Sequence, residues 1–343
     1  MAVVDPLEEL EGPGRSGPLR FLVVGDTQAP PHDERSTRAR HAVFGAVAAA
    51  LAESALVVHV GDVVDNGSRR RQWERFDAES GWPEMGAAER QRFLPIPGNH
   101  DYKTHWWDYG GGDLSRFFAR FAHLGQRRYY FFTQGSAALV FLDSGRNGVR
   151  RLFGEGWENG RDEQVEWLEQ VVLPCLRRRA AGLHRIFLFV HKPAYATPLH
   201  CRNRDTQRIW RRFEDFSREH GDAFEVYVFC GHVHTFSHIV RDYSGDGQGQ
   251  VEQFTCGCGG GKQSGARHFL RVHRVEDLDA YRLVRYRQQA RGSELDPEAF
   301  DAVRRDNALW GYLEVEAAEQ VRVRYQRFDP HAGAFRVDYE YVR

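Results

Sequence analysis

An α/β chain built around a mainly parallel β-sheet is what this sequence predicts, on three observations. The chain opens strand–helix–strand, both opening strands stop at the dipeptide Gly-Asp, and the last third alternates apolar and polar residues. Leu19–Val24 is a short apolar run ending at Gly25-Asp26, and residues 36–53 are Ala-rich with helical spacing. Ala55–Val60 is the next apolar run and ends at Gly61-Asp62. Phe93–Pro97 reads as a third strand leading into Gly98-Asn99-His100-Asp101. Residues 129–133 and 137–143 form a hairpin pattern, and 162–179 is amphipathic, with Val165, Leu168, Val172 and Leu176 on one face. Arg185–Val190 is a buried strand ending at His191, and Phe224–Cys230 is another ending at Gly231-His232. Residues 310–315, 321–328 and 335–341 alternate as half-exposed antiparallel strands do.

Composition narrows the class. Hydrophobic residues make up 41% and charged residues 28%, as in a soluble globular protein with a large core. A formal charge of -1 removes any global basic signal for nucleic acid or an anionic membrane. No apolar run is long enough to span a bilayer. Residues 1–18 are acidic and Pro/Gly-rich, without the apolar stretch of a signal peptide, and read as a flexible tail. The five cysteines are odd in number and lack a disulfide-framework spacing, so they read as reduced thiols of a cytoplasmic protein. Cys256-Gly257-Cys258 is not CxxC and is read as loop geometry.

Five strand ends carry potential metal ligands: Asp26 with Gln28, Asp62, Asn99, His191, and His232 with His234. Each alone has an ordinary explanation, because Gly-Asp after a strand is usually a turn or a helix cap. All five in this order, each after an apolar β run, fit poorly with turns. In parallel sheets functional groups gather at the carboxyl ends of strands. Carboxylate, amide oxygen and imidazole together suit ions of the Mn, Fe, Zn and Mg kind. Two such ions roughly 3.5–4 Å apart can hold a phosphate, activate water and stabilise a leaving oxygen.

The set Gly25-Asp26-Thr27-Gln28, Gly61-Asp62-Val63-Val64-Asp65-Asn66-Gly67, Gly98-Asn99-His100-Asp101, Val190-His191-Lys192-Pro193 and Gly231-His232-Val233-His234 resembles the calcineurin-like metallophosphoesterases. The resemblance implies a four-layer α/β/β/α sandwich of two mixed β-sheets flanked by helices. It places the metallophosphoesterase domain at 19–343, with residues 240–343 as a β-rich part completing the second sheet. It implies two divalent metals. Asp26 and His234 would bind the first, with Gln28 beside them; Asp62 would bridge; Asn99, His191 and His232 would complete the second. His100 would contact the phosphate and protonate the leaving group, and Asp65 would hold His100 in its working tautomer. A bridging hydroxide would attack phosphorus in line, without a phosphoenzyme. Gln164 with Trp167-Leu168 resembles a helix common in the purple-acid-phosphatase-like branch.

Two departures shape the expectation. Most of that family has Asp-x-His where this chain has Asp26-Thr27-Gln28. Manganese-dependent diphosphatase-like members also carry Gln, a harder ligand than imidazole, so Mn²⁺ is expected, with Mg²⁺, Fe or Zn²⁺ as alternatives. Asn66 stands where protein serine/threonine phosphatases have Arg, and the second motif has Asp65 and Asn66 but no Tyr to supply the chromophore of purple acid phosphatases. The expected substrate is a small-molecule phosphomonoester, phosphodiester or nucleotide diphosphate derivative. The rivals are a nucleic-acid phosphodiesterase, kept open by Arg69-Arg70-Arg71 and Arg177-Arg178-Arg179, and a non-catalytic scaffold. Arg69, Lys103 and Tyr195 are the candidate substrate contacts. Residues 106–112, an aromatic loop after the His100 turn, are a candidate cover for the site.

Overall fold

Two mixed sheets lie face to face, and helices cover their outer sides. The computed structural model describes residues 18–28, 34–53, 55–105, 114–144, 163–194, 204–244, 249–261, 282–283 and 310–343. Residues 1–17, the 106–112 loop and Tyr195 lie outside the described residues.

The first sheet has six strands, β1 (Leu19–Val24), β2 (Leu56–His59), β3 (Phe93–Pro95), β11 (Gly311–Ala317), β12 (Val321–Asp329) and β13 (Ala334–Val342), in the order β13-β12-β11-β1-β2-β3. The second has seven: β4 (Tyr130–Gln134), β5 (Ala137–Leu142), β6 (Arg185–Val190), β7 (Glu225–Cys230), β8 (Phe236–Asp242), β9 (Gln250–Cys256) and the short β10 (Arg282–Leu283), in the order β10-β8-β9-β7-β6-β5-β4. Strands β1, β2 and β3 run parallel, as do β5, β6, β7 and β9. The first crossover is the helix α1 (Glu34–Ala52), which buries Val43, Phe44, Val47 and Leu51.

The sheets meet through aromatic rings. Phe21 on β1 stands edge-on to Phe187 and Phe189 of β6 and Phe229 of β7, at centroid distances of 5.3, 5.7 and 5.8 Å. Outside the first sheet, α2 (Arg70–Ser80) places Trp73 and Phe76 against Phe121. Outside the second, α7 (Arg204–Glu219) buries Trp210, Phe213 and Phe216.

The expectation that residues 240–343 complete the second sheet needs correction. Strands β8, β9 and β10 join that sheet, but β11, β12 and β13 extend the first, where β11 pairs antiparallel with β1 from Leu19↔Ala317 to Val23↔Leu313. Alternation shows that a strand is half-exposed; it carries no record of which sheet edge the strand will meet. The helix expected over 162–179 is interrupted. It runs as α5 (Glu163–Trp167), a π-helical turn over Leu168–Val172, and α6 (Leu173–Arg178). Pro174 explains the interruption, because it lacks an N–H and its ring crowds the carbonyl four residues back.

Candidate metal centre

The carboxyl ends of β1, β2 and β3 in one sheet, and of β6 and β7 in the other, converge on one point. Short backbone bonds knit the turns: Asp26 N–H donates to Gly61 O at 3.0 Å and Gly231 N–H donates to His191 O at 3.0 Å. Their glycines are needed for closeness. A Cβ on Gly98 would lie 2.2 Å from the Asp62 nitrogen, and one on Gly231 would lie 2.3 Å from Asp26 Oδ2. Asp26, Asp62 and His232 adopt left-handed φ values of 57°, 57° and 68°. Such a conformation costs a non-glycine residue about 1–3 kcal/mol and survives only where the surroundings impose it.

Five of the seven predicted metal ligands, Asp26, Gln28, Asp62, Asn99 and His191, are buried, and His232 is half-buried. His234 is half-buried beside them. Asp62 belongs to two overlapping donor sets, one with His191 and His232 and one with Asp26 and His234, and within each set the ligand atoms all lie within 4.8 Å of one another. Asn99 Oδ1 is 3.0 Å from His191 Nε2, and Gln28 Nε2 is 3.1 Å from Asp62 Oδ2 and 3.3 Å from His234 Nε2. The structure therefore brings all seven together.

The donor set fits metal cations. His191 Nδ1 lies 2.8 Å from the Val60 carbonyl, which can only accept, so the proton sits on Nδ1. In the neutral ring Nε2 then presents a lone pair. That lone pair faces Asn99 Oδ1, Asp62 Oδ1 at 3.3 Å and His232 Nδ1 at 3.3 Å. A carbonyl that fixes the tautomer of an inward-facing His is the usual outer support of a metal ligand. Asp26 Oδ1, although 3.2 Å from His234 Nε2, and Gln28 Oε1 are buried without a hydrogen bond. Buried acceptors left this way are costly unless a cation takes them up. Burial opposes ionisation of Asp62, but His191 and His100 outweigh it and hold the carboxyl far below the usual range.

His100 stands at the rim. Its Nδ1 lies 2.9 Å from the Asp65 carbonyl and 3.2 Å from Asp65 Oδ1, while Nε2 lies 3.9 Å from Asp62 Oδ2. Burial disfavours its cation, yet Asp62 and Asp65 prevail and His100 is pushed up to about 9. Of the candidate substrate contacts, Lys103 is buried with Nζ 3.6 Å from Asp65 Oδ1. Arg69 is exposed at the start of α2, where its N–H donates to Asn66 O. Asn66 pins the same loop, accepting from Ser68 N–H and donating to Thr104 O.

Sequence reading overlooked Asp101. Its buried carboxylate accepts the backbone N–H groups of Gly98 at 2.8 Å, Asp62 at 3.0 Å, Val63 at 3.1 Å and Val64 at 3.3 Å. It thus holds the turn that carries Asp62. The only signal in the sequence was an acid directly after Asn99-His100, which by itself looks like a turn residue.

The family model of the calcineurin-like phosphoesterases matches residues 19–236, and the chain belongs to that family. Among solved structures, the purple acid phosphatase PPD1 from yellow lupin (Lupinus luteus) seeds aligns over 96% of this chain and 54% of its own, with a TM-score of 0.57 and 14% identity. GAP50, the anchor in the inner membrane complex of Plasmodium, aligns over 95% of this chain and 88% of its own, with a TM-score of 0.55 and 12% identity. Both share the fold, and this chain spans about half the length of the lupin phosphatase. No curated protein matches the sequence. Among the described residues, no helix is long and apolar enough to cross a membrane.

Proposed function

We propose that this chain is a dinuclear-metal-dependent phosphoesterase acting on a small phosphomonoester, phosphodiester or nucleotide diphosphate derivative. The observation that carries the reading is the sharing of Asp62 by two donor sets, Asp62-His191-His232 and Asp26-Asp62-His234, with the buried Asp26 Oδ1 and Gln28 Oε1 left without a hydrogen bond beside them. Asp26, Gln28 and His234 would hold one divalent cation, Asn99, His191 and His232 the other, and Asp62 both. When bound, such ions supply an activated water at neutral pH and neutralise charge on the phosphate.

The chain's own residues do the rest. The Asp65 carbonyl and carboxylate hold the Nδ1–H of His100, which leaves Nε2 as the atom that donates a proton to the departing oxygen. Lys103, beside Asp65, places a positive charge near the same rim. Asp101 keeps the Asp62 turn in its left-handed shape.

A scaffold is the second reading, favoured by the likeness to a protein named as an anchor. Fold likeness alone does not separate the two. The retained ligands and His100 favour chemistry. The test is hydrolysis of p-nitrophenyl phosphate and its bis-ester by chelator-treated protein refilled with Mn²⁺, beside Asp62→Asn. Activity that requires both Mn²⁺ and Asp62 supports the phosphoesterase. A protein that binds no Mn²⁺ and hydrolyses neither ester is a scaffold.

A further inference from the structure

One cluster beside the centre carries no metal ligand, yet touches two turns that do. Strand β5 ends at Leu142, and the next two residues, Asp143 and Ser144, are buried. Tyr102, two residues after His100, is also buried and donates its hydroxyl hydrogen to Asp143 Oδ2 at 2.5 Å. Arg128 donates to the same oxygen at 3.0 Å. Ser144 Oγ accepts the N–H of Lys192, the residue after His191, at 2.8 Å. Gln164 then clamps the main chain of Asp143 from both sides: its Oε1 accepts Asp143 N–H at 2.6 Å and its Nε2 donates to Asp143 O at 3.0 Å. Gln164 is itself buried, so this clamp does not compete with water.

The arrangement has a direction. The His100 turn belongs to the first sheet and the His191 turn to the second; among the described residues no backbone–backbone hydrogen bond joins them, and Asn99 Oδ1 meets His191 Nε2 through side chains alone. Asp143-Ser144 grips one through Tyr102 and the other through Lys192 N–H. Resting on the phosphoesterase reading above, we infer that Asp143, Ser144 and Tyr102 are positioning residues that set the proton donor His100 and the ligand His191 at their working separation. Gln164 anchors that strut, which gives a role to a residue the sequence singled out without one. The bond from Tyr102 is short and charge-assisted, the kind that transmits position rather than merely filling space.

Two variants separate positioning from packing. Tyr102→Phe keeps the ring and removes only the hydroxyl; Ser144→Ala removes only the acceptor for Lys192 N–H. With both Mn²⁺ ions in place, Tyr102→Phe is expected to lower kcat for phenyl phosphate about 10-fold, within the ~10²-fold loss that an error of about 1 Å can cause. The same variant should change kcat for p-nitrophenyl phosphate by less than about 3-fold, because that leaving group needs little protonation. KM and Mn²⁺ content should stay as in the wild type. Ser144→Ala should weaken Mn²⁺ binding roughly 10-fold by calorimetry, as loss of an outer support does. Equal losses for the two esters in Tyr102→Phe, or none, would overturn the His100 arm, and unchanged Mn²⁺ affinity in Ser144→Ala would overturn the His191 arm. A wild type that binds two Mn²⁺ and cleaves neither ester defeats the phosphoesterase reading instead. The strut is then judged by Mn²⁺ affinity in Ser144→Ala and by the His100 imidazole NMR signals in Tyr102→Phe, where unchanged signals count against it.

Discussion

Two buried clusters in this protein use nearly the same side chains to opposite ends. Near the carboxyl ends of the parallel strands sit Asp26, Asp62, His191, His232 and His234; where the edge strand β13 of the first sheet meets β8 and β9 of the second sit His238, Glu252, Tyr339, Tyr341 and Arg343. In the second cluster donors match acceptors. His238 Nε2 meets Glu252 Oε2 at 2.7 Å, His238 Nδ1 meets the Tyr339 hydroxyl at 2.8 Å, and Glu252 Oε1 accepts from Tyr341 at 2.7 Å and from Arg343 at 3.3 Å. In the first, acceptors outrun donors: Asp26 Oδ1 and Gln28 Oε1 are buried without a hydrogen bond. His238 and His191 are equally buried, at 0% exposure, so burial does not tell a site from a clamp. The balance of donors and acceptors does.

The comparison breaks most sharply at its two acids. Asp62→Asn is expected to lower Mn²⁺ affinity by more than ~10²-fold, beyond the usual range for outer residues, and to abolish hydrolysis, with little change in the melting temperature of metal-free protein. Glu252→Gln should do the reverse. It should cost about 1–3 kcal/mol in urea unfolding, because an NH2 donor replaces one of the two oxygens shared by His238, Tyr341 and Arg343 and the charge is lost, while Mn²⁺ titration stays unchanged. Loss of Mn²⁺ binding in the second variant would erase the distinction. Asp65→Asn is expected to lower turnover about 10-fold with both ions retained, measured by steady-state kinetics and metal analysis; release of metal would assign Asp65 to the wrong shell. Gln28→His should raise Zn²⁺ affinity relative to Mn²⁺ in competition titrations, because imidazole suits the softer ion better than an amide oxygen.

The smallest effect belongs to a third, matched cluster. Arg40 donates to Glu79 at 2.5 and 2.7 Å, and Arg75 joins at 2.8 Å. Burial works against the Glu79 carboxylate, but Arg40 and Arg75 hold its pKa below the ordinary 4.5. A depressed carboxyl stabilises fully above its unfolded value and loses that contribution as pH falls through the folded one. The stability gap between wild type and Glu79→Gln should therefore be widest near neutrality and close as pH drops below 4.5. A gap that widens in acid would refute the pairing.

What the sequence determined by itself was the set of strand ends and the polar residue types that gather on them. Apolar runs that stop at Gly-Asp, Gly-Asn-His and Gly-His-x-His are local patterns, and a parallel sheet places their ends on one side, so Asp26, Asp62, Asn99, His191, His232 and His234 were legible before any coordinate. The Asp65–His100 pairing followed from the motif, although the backbone carbonyl of Asp65 that shares it did not. Helix α7 went unmarked, although Ile209, Trp210, Phe213 and Phe216 recur in it at helical spacing between its charged residues. Only the tertiary structure decided that β11, β12 and β13 extend the first sheet, and that Asp101 and Asp143 hold the turns around the cluster. Sheet-edge choice and outer-sphere hydrogen bonds join residues far apart in the chain. Asp143 meets Tyr102 across 41 positions and His238 meets Tyr339 across 101. No local pattern of polarity records such a pairing, because it is settled when two independently formed surfaces pack together.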